Sequence, residues 1–218
     1  MADITLYIGN KHYSSWSLRG WLALKEGGLA FDEVLIRLYE PNSHAETLRV
    51  SPSGLVPALR HGELVLWDSL AIGEYVAELC PDKRLWPADR ADRAAARSIA
   101  GEMHSGFAAL RAHLPMNLRS SFPNRGVTPE VQAEINRITS VWRERRRRVA
   151  PEDGPFLFGH FTLADVMFAP VVSRFRTYHI ELDALCQSYA DAVWAIQSYK
   201  EWQEAAEHEP MIIESAEF

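Results

Sequence analysis

Residues 4–25 read ITLYIGNKHYSSWSLRGWLALK, and the succession of patterns within them decides the fold. Ile4 to Ile8 is short, apolar and β-favouring, and a polar loop follows through Tyr13. Trp16, Leu18, Leu22 and Leu24 then recur at the spacing of an amphipathic helix over 15–25. Gly27 and Gly28 end it, as glycine commonly does beyond a helix. Phe31 to Leu38 (FDEVLIRL) supplies a second strand, and a polar, proline-interrupted stretch runs on to Val50. Two short strands, Val56 to Arg60 and Leu64 to Trp67, are joined at the turn pair His61–Gly62. Asp68 and Ser69 open another helix, SLAIGEYVAEL. The order is strand–helix–strand, then strand–strand–helix. A strand–helix–strand crossover is right-handed and pairs its strands in parallel, and the last two strands add as an antiparallel hairpin. Residues 1–80 therefore read as a small four-stranded α/β domain.

The rest of the chain changes character. Residues 81–93 (PDKRLWPADRADR) hold two prolines and seven charges, which suits an exposed linker. Beyond it strand-like alternation vanishes, and helical spacing dominates over 94–114, 129–149, 162–178 and 189–206. Residues 94–218 read as an all-helical bundle.

Composition narrows the function. The 218 residues carry 23 Lys+Arg against 29 Asp+Glu, a net charge of −6, which leaves no electrostatic footprint for nucleic acid or an anionic membrane. An apolar fraction of 47% with seven tryptophans can fill a sizeable core. Two distant cysteines, Cys80 and Cys186, form no disulfide framework and suit a reducing cytoplasm. The start lacks the basic flank and apolar stretch of a signal peptide, and no uncharged apolar run reaches the roughly 18 residues needed to span a bilayer. There is no P-loop, dinucleotide fingerprint or nucleophile elbow. The eight histidines are scattered, so no metal site is expected. Five arginines within 143–148 point all round a helix, which reads as a solvated helical end.

Three junctions carry chemistry. Ser14, Ser15 and Ser17 stand where the first helix begins, and three hydroxyls exceed what one cap requires. Free N–H groups there stabilise an anion, and a hydroxyl that donates to a thiolate raises its share at neutral pH. In the segment 51–59, SPSGLVPAL, Pro57 opens a strand without a ladder donor, and X–Pro bonds at such places are often cis. The Val56 backbone, turned outward, can pair with an extended peptide-like ligand. Asp68–Ser69 sets a carboxylate and a hydroxyl at another helix start, which suits the ammonium and carboxylate of an amino acid. Each junction has a plain structural reading too, as cap or turn. Further on, Thr162–Leu163–Ala164–Asp165 is a capping box ahead of an apolar helix in which Pro170 is expected to make a kink.

These motifs, in this order and along the whole chain, resemble the cytosolic glutathione transferases. The resemblance implies an N-terminal thioredoxin-like domain (βαβ-ββα) followed by an all-helical C-terminal bundle, with Thr162–Asp165 as the family's buried capping box. SSWSLRGWLAL is similar to the SSCSWRVRIAL start of the Zeta class, a branch that uses glutathione for conjugation and for cis–trans isomerisation of maleylacetoacetate. By that resemblance Ser14 stands at the catalytic serine, Ser15 beside it, and Trp16 where the class has cysteine. Leu55 stands where the family has Lys or Gln reaching the glycine carboxylate of glutathione, leaving Lys11 and His44 as candidate replacements. Thr177 stands at the Zeta arginine that holds substrate carboxylate, flanked by Arg174 and Arg176.

The expectation is a glutathione S-transferase that takes glutathione as co-substrate and a small electrophile, with no metal. Ser14 and Ser15 would act on the sulfur. Lys11, His44, Leu55, Val56, Pro57, Asp68 and Ser69 would hold glutathione. Trp16, Met103, His104, Phe107, Arg111, Arg174 and Arg176 would line the acceptor pocket, near Met116 and Asn117. The resemblance implies a homodimer. A glutathione-dependent isomerase and a non-catalytic binding protein of the same fold stay as alternatives. A thiol oxidoreductase of the glutaredoxin or Omega type would need a cysteine at the helix start, and none stands there.

Overall fold

The first strand, β1 (Ile4–Ile8), is buried along its whole length because it has strand neighbours on both sides. The computed structural model describes residues 3–217. Helix α1 (Ser15–Gly27) follows and ends at Gly28, whose φ of 71° is the left-handed cap that glycine adopts without a steric cost. Strand β2 (Asp32–Leu35) is exposed, an edge strand parallel to β1. It is shorter than the expected 31–38. A six-residue helix, α2 (Ser43–Leu48), occupies part of the stretch read as irregular. Strands β3 (Ala58–His61) and β4 (Leu64–Leu66) complete a sheet in the order β2-β1-β3-β4, with β3 antiparallel to both neighbours. The parallel pairing of β1 with β2 and the terminal hairpin are as expected. Helix α3 (Ser69–Leu79) closes this half, capped by Asp68, which accepts from Leu70 N at 2.9 Å and Ala71 N at 3.4 Å.

Helix α4 (Arg90–Ser105) starts inside the stretch read as linker, because Asp89 accepts from Ala91 N at 2.8 Å and Asp92 N at 2.9 Å. The single helix expected over 94–114 is two. Gly106 is extended, Phe107 is left-handed at φ 61°, and α5 (Ala108–His113) begins anew. Helix α6 (Pro129–Arg146) and helix α7 (Leu163–Thr177) match expectation closely. The helix expected over 189–206 is also two, α8 (Ala184–Trp194) and α9 (Gln197–Glu207), separated at Ile196 with ψ 144°. Among the described residues no helix is long and apolar enough to cross a membrane.

One apolar core runs through both halves, from Leu6, Leu18 and Leu22 to Trp142, Phe168 and Trp202. Helix α7 is its axis, with 14 of its 15 residues buried. Its first turn is fixed by Asp165, wholly buried, which accepts from Thr162 N at 2.8 Å and Leu157 N at 3.1 Å. The arginine run at the end of α6 is mostly occupied. Arg143 pairs with Asp183 at 2.7 Å, Arg145 and Arg148 with Glu144, and Arg146 donates to Gly154 O at 2.9 Å and to Phe156 O.

Candidate functional site

The start of α1 is stitched by its serines. Ser14 is the cap: its Oγ accepts from Ser17 N at 3.3 Å and donates to Ser17 Oγ at 2.7 Å. Ser17 Oγ in turn accepts from Gly9 N at 2.9 Å, so two of the three hydroxyls tie the helix to the end of β1. Ser15 differs. Its Oγ, in a residue 6% exposed, accepts from Arg174 Nη2 at 3.3 Å, and no acceptor for its own proton is recorded among the described residues.

Arg174 comes from the last turn of α7 and is itself buried. Its Nε donates to Leu114 O at 2.7 Å and its Nη1 to Pro170 O at 3.3 Å. Burial pushes its pKa down to about 9, with the Arg111 charge adding to the effect, and it stays a cation at neutral pH. Arg111, on α5, donates to Gly106 O at 3.0 Å and to Met103 O, satisfying carbonyls at the end of α4. Arg19, on α1, is wholly buried and donates through Nε to Met167 O at 3.0 Å. Its two terminal nitrogens and Arg111 Nη1 have no hydrogen-bond partner among the described residues. Burial first, then the neighbouring arginines, holds the Arg19 pKa well below its ordinary value.

Trp16 sits among these cations. Arg19 and Arg111 each lie 4.7 Å from its ring centroid, and His104 meets it edge-on at 5.3 Å. His104 Nε2 reaches Asp68 Oδ2 at 2.9 Å, so the indole is linked to the cap of α3.

A cavity of about 480 Å³ opens against this corner. Tyr13, Ser14, Ser15 and Trp16 line it from α1, Arg111 and Met116 from the helical half, and Arg174 from α7. His44, Leu55 and Val56 line it on the sheet side. Val56 gives neither its N–H nor its C=O to a hydrogen bond among the described residues, and the Val56–Pro57 bond is cis.

Other candidates from the sequence lie elsewhere. Lys11 does not line the cavity: its Nζ pairs with Glu33 at 2.7 Å and sits 4.4 Å from the Trp202 ring centroid. Met103 is wholly buried in the core and Phe107 is folded into it, so the stripe read as pocket wall is packing. Arg176 pairs with Asp191 at 2.6 Å and stacks on Trp194, facing outward. Asn117 is buried and fixes Arg119 N and Ser120 N at 2.8 and 2.9 Å. Asp68, Ser69, Pro57 and His104 border the site without lining the cavity; Ser69 Oγ is buried with no hydrogen-bond partner among the described residues. Thr177 donates to Asn117 O at 2.6 Å.

Sequence reasoning missed Arg19, Tyr13 and the segment of Ile213, Ser215 and Ala216, which also line or back the site. Arg19 had a signal, as the one charge inside the apolar run 16–24. The segment had none, since its contacts span nearly the whole chain: Tyr13 Oη donates to Glu217 Oε1 at 2.8 Å.

The sheet-and-bundle fold with a cavity at the first helix start defines a class, and comparison with known proteins agrees with it. The model of the glutathione S-transferase N-terminal domain matches residues 13–79, and that of the C-terminal domain matches 89–206. The chain belongs to the glutathione S-transferase family. Several of its relatives are named maleylacetoacetate isomerase. The maleylacetoacetate isomerase of Rattus norvegicus is 29% identical over 181 residues, covering 81% of this chain and 80% of that protein. A probable maleylacetoacetate isomerase of Vibrio cholerae is 29% identical over 216 residues, covering 90% and 94%. Among solved structures, a Burkholderia glutathione transferase homologue with bound glutathione superposes with a TM-score of 0.70 at 25% identity, covering 94% of this chain and 98% of that one.

Proposed function

We propose that this chain is a glutathione transferase that ionises the thiol of glutathione beside a serine at the start of α1 and directs it at a small electrophile. The observation that carries the reading is the hydroxyl of Ser15, free to donate, in a cavity whose opposite wall offers the unpaired Val56 backbone. The donor set fits a tripeptide thiol. Val56 N–H and C=O suit its backbone, the unpartnered Ser69 Oγ and Asp68 suit its γ-glutamyl end, and His44 stands on the side of its glycine carboxylate. Glutathione as co-substrate supplies the nucleophilic sulfur. The family resemblance assigned the donor role first to Ser14. The hydrogen bonds favour Ser15, because the Ser14 proton is directed to Ser17. Trp16, Arg111 and Met116 would then wall the acceptor.

In keeping with the family we read the chain as a cytoplasmic homodimer of two domains, 1–80 and a helical half, joined by the stretch 81–93, whose last residues already belong to α4; light scattering tests the assembly. Calorimetric titration with glutathione, followed by conjugation of a chlorodinitrobenzene, tests the function. Binding with turnover is expected, and Ser15→Ala should cut the rate at least tenfold. Absence of binding at millimolar glutathione would leave a fold kept for interaction alone.

A second reading is favoured by the names of the relatives: glutathione-dependent cis–trans isomerisation of maleylacetoacetate. It is told apart by turnover of that substrate without consumption of glutathione. Trp16, standing where the class has cysteine, argues for conjugation.

A further inference from the structure

Three guanidinium groups, Arg19, Arg111 and Arg174, cluster at the start of α1 without a carboxylate partner. None of them belongs to an ion pair among the described residues. Charged and titratable groups face this corner from several elements, Tyr178 at the end of α7 and Tyr199 on α9 acting on Arg174 itself. Asp68, at the start of α3, is paired to His104 of α4 at 2.9 Å. Glu134, on α6, is engaged by the amides of Ala109 and Leu110 at 3.3 and 2.7 Å. Glu217 accepts from Tyr13, Asn117 and Ser120. Tyr39 and His44 face the cavity from the loop and helix beside β2. Buried like charges without a counter-ion are costly, and each carboxylate nearby is engaged elsewhere. Asp68 and Glu134 offset part of the charge on Arg19 and Arg111 from a distance, whereas no carboxylate among the described residues acts on Arg174, whose charge is left to balance a bound anion.

Resting on the transferase reading above, we propose that Arg174 is the positioning residue that sets the ionisation of the bound sulfur. Its guanidinium donates to Ser15 Oγ at 3.3 Å, which occupies a lone pair of the hydroxyl and leaves the hydroxyl proton to point at a thiolate. Its own charge, held by Leu114 O and Pro170 O and by no acid, is the counter-ion. Arg111 and Arg19 add to the same field, each 4.7 Å from the Trp16 ring centroid, with Arg111 also lining the cavity. In the step itself the S–H bond breaks heterolytically and the electron pair stays on sulfur. The proton leaves to water at the open mouth, where Tyr39 is 80% and Leu55 69% exposed. Ser15 keeps its proton and Arg174 its charge throughout.

The thiolate ultraviolet band of the binary glutathione complex, followed against pH, reads this directly without an acceptor substrate. A free thiol titrates near about 8.5, and the wild-type complex should titrate at least one unit lower. Arg174→Gln should raise the midpoint by about one to two units, the size of one nearby charge in a partly shielded site, and Arg174→Lys should recover half or more of the shift. Calorimetric glutathione affinity should change less than about threefold in the Lys variant, which separates ionisation from binding. Ser15→Ala, which removes one acceptor of Arg174 but leaves the guanidinium held by Leu114 O and Pro170 O and so does not depend on the arginine variants folding, should move the midpoint more than Ser14→Ala does. An unmoved midpoint in Arg174→Gln with binding intact would overturn the proposal, as would a larger shift from Ser14→Ala. If Arg174→Gln spares the midpoint but raises the KM of anionic acceptors selectively, the guanidinium serves the acceptor and the proposal also falls. Failure of the wild-type protein to bind glutathione would instead refute the transferase reading itself.

Discussion

Asp165 is the carboxylate on which α7, and with it Arg174, is hung. Two effects oppose each other there. Burial penalises the charged form, while Thr162 N, Leu157 N and the Thr162 hydroxyl at 2.8, 3.1 and 2.9 Å stabilise it. Burial wins, and the carboxyl is pushed up to about 6. In the unfolded chain the same group titrates near about 3.9. Between those values the native protein holds a proton that the unfolded chain has released, so stability falls as pH rises from about 4 towards 6. For these two pKa values the linkage relation gives a loss of about 1.3 kcal/mol between pH 5 and pH 7 from this group alone. Asp165→Asn keeps the shape and removes the titration. Urea unfolding of both proteins at pH 5 and pH 7 cancels every other group they share. The wild type should lose about 1 kcal/mol more than the variant across that interval. A stability difference constant to within about 0.3 kcal/mol would mean that the hydrogen bonds outweigh burial, and the sign of the argument would be wrong.

Other perturbations probe other contacts. Leu55→Lys places an ammonium on an exposed cavity-lining position where the family carries Lys or Gln, and calorimetry should show glutathione bound about three- to tenfold more tightly. Gly20→Ala would set a Cβ 3.0 Å from Pro57 Cγ and 3.1 Å from Pro57 Cβ. The crowding, about 1–3 kcal/mol, exceeds the roughly 1 kcal/mol that alanine gains in a helix, so a variant more stable in urea would contradict the packing. Arg19→Met replaces a buried guanidinium with two unpartnered nitrogens by an apolar chain of similar length. It should leave thermal stability equal or higher, and a loss above about 3 kcal/mol would show that Arg19 has a partner in solution.

Much of the architecture was legible because it is local. The short β-favouring run Ile4–Ile8, the helical spacing of 15–25 and the turn at His61–Gly62 each declare their element within a few residues. Breaks inside periodic runs were not legible. Alanine-rich spacing continues across Gly106 and Phe107, and again across Ala195 and Ile196, yet the chain turns at both because tertiary packing overrides propensity. Residue type marked the candidate site, but partnership decided it. Lys11 and Arg176 look like free cations in sequence, and each is engaged by a carboxylate, Glu33 and Asp191, that spacing along the chain does not single out. Arg111 and Arg174 look the same in sequence, and among the described residues they donate hydrogen bonds only to carbonyls and a hydroxyl.

That contrast also explains how an acidic protein can offer an anion site. Residues 1–80 carry six Lys+Arg against ten Asp+Glu, so bulk charge repels an anionic tripeptide from the half that should hold it. Screening limits that repulsion to about a Debye length, about 8 Å in physiological salt, and weakens it at exposed groups. A buried guanidinium is shielded far less, so its field counts for more at short range than several surface carboxylates. The exposed acids of β2 and of the loops therefore cost little, while Arg174 and Arg111, brought in from the helical half, decide the potential where the sulfur would lie. The sheet half contributes the hydroxyl, the backbone edge and Arg19 behind them, and the bundle contributes the two arginines that line the cavity. Neither half holds both, so the chemistry depends on the packing of α7 against α1, the contact in which Arg174 meets Ser15.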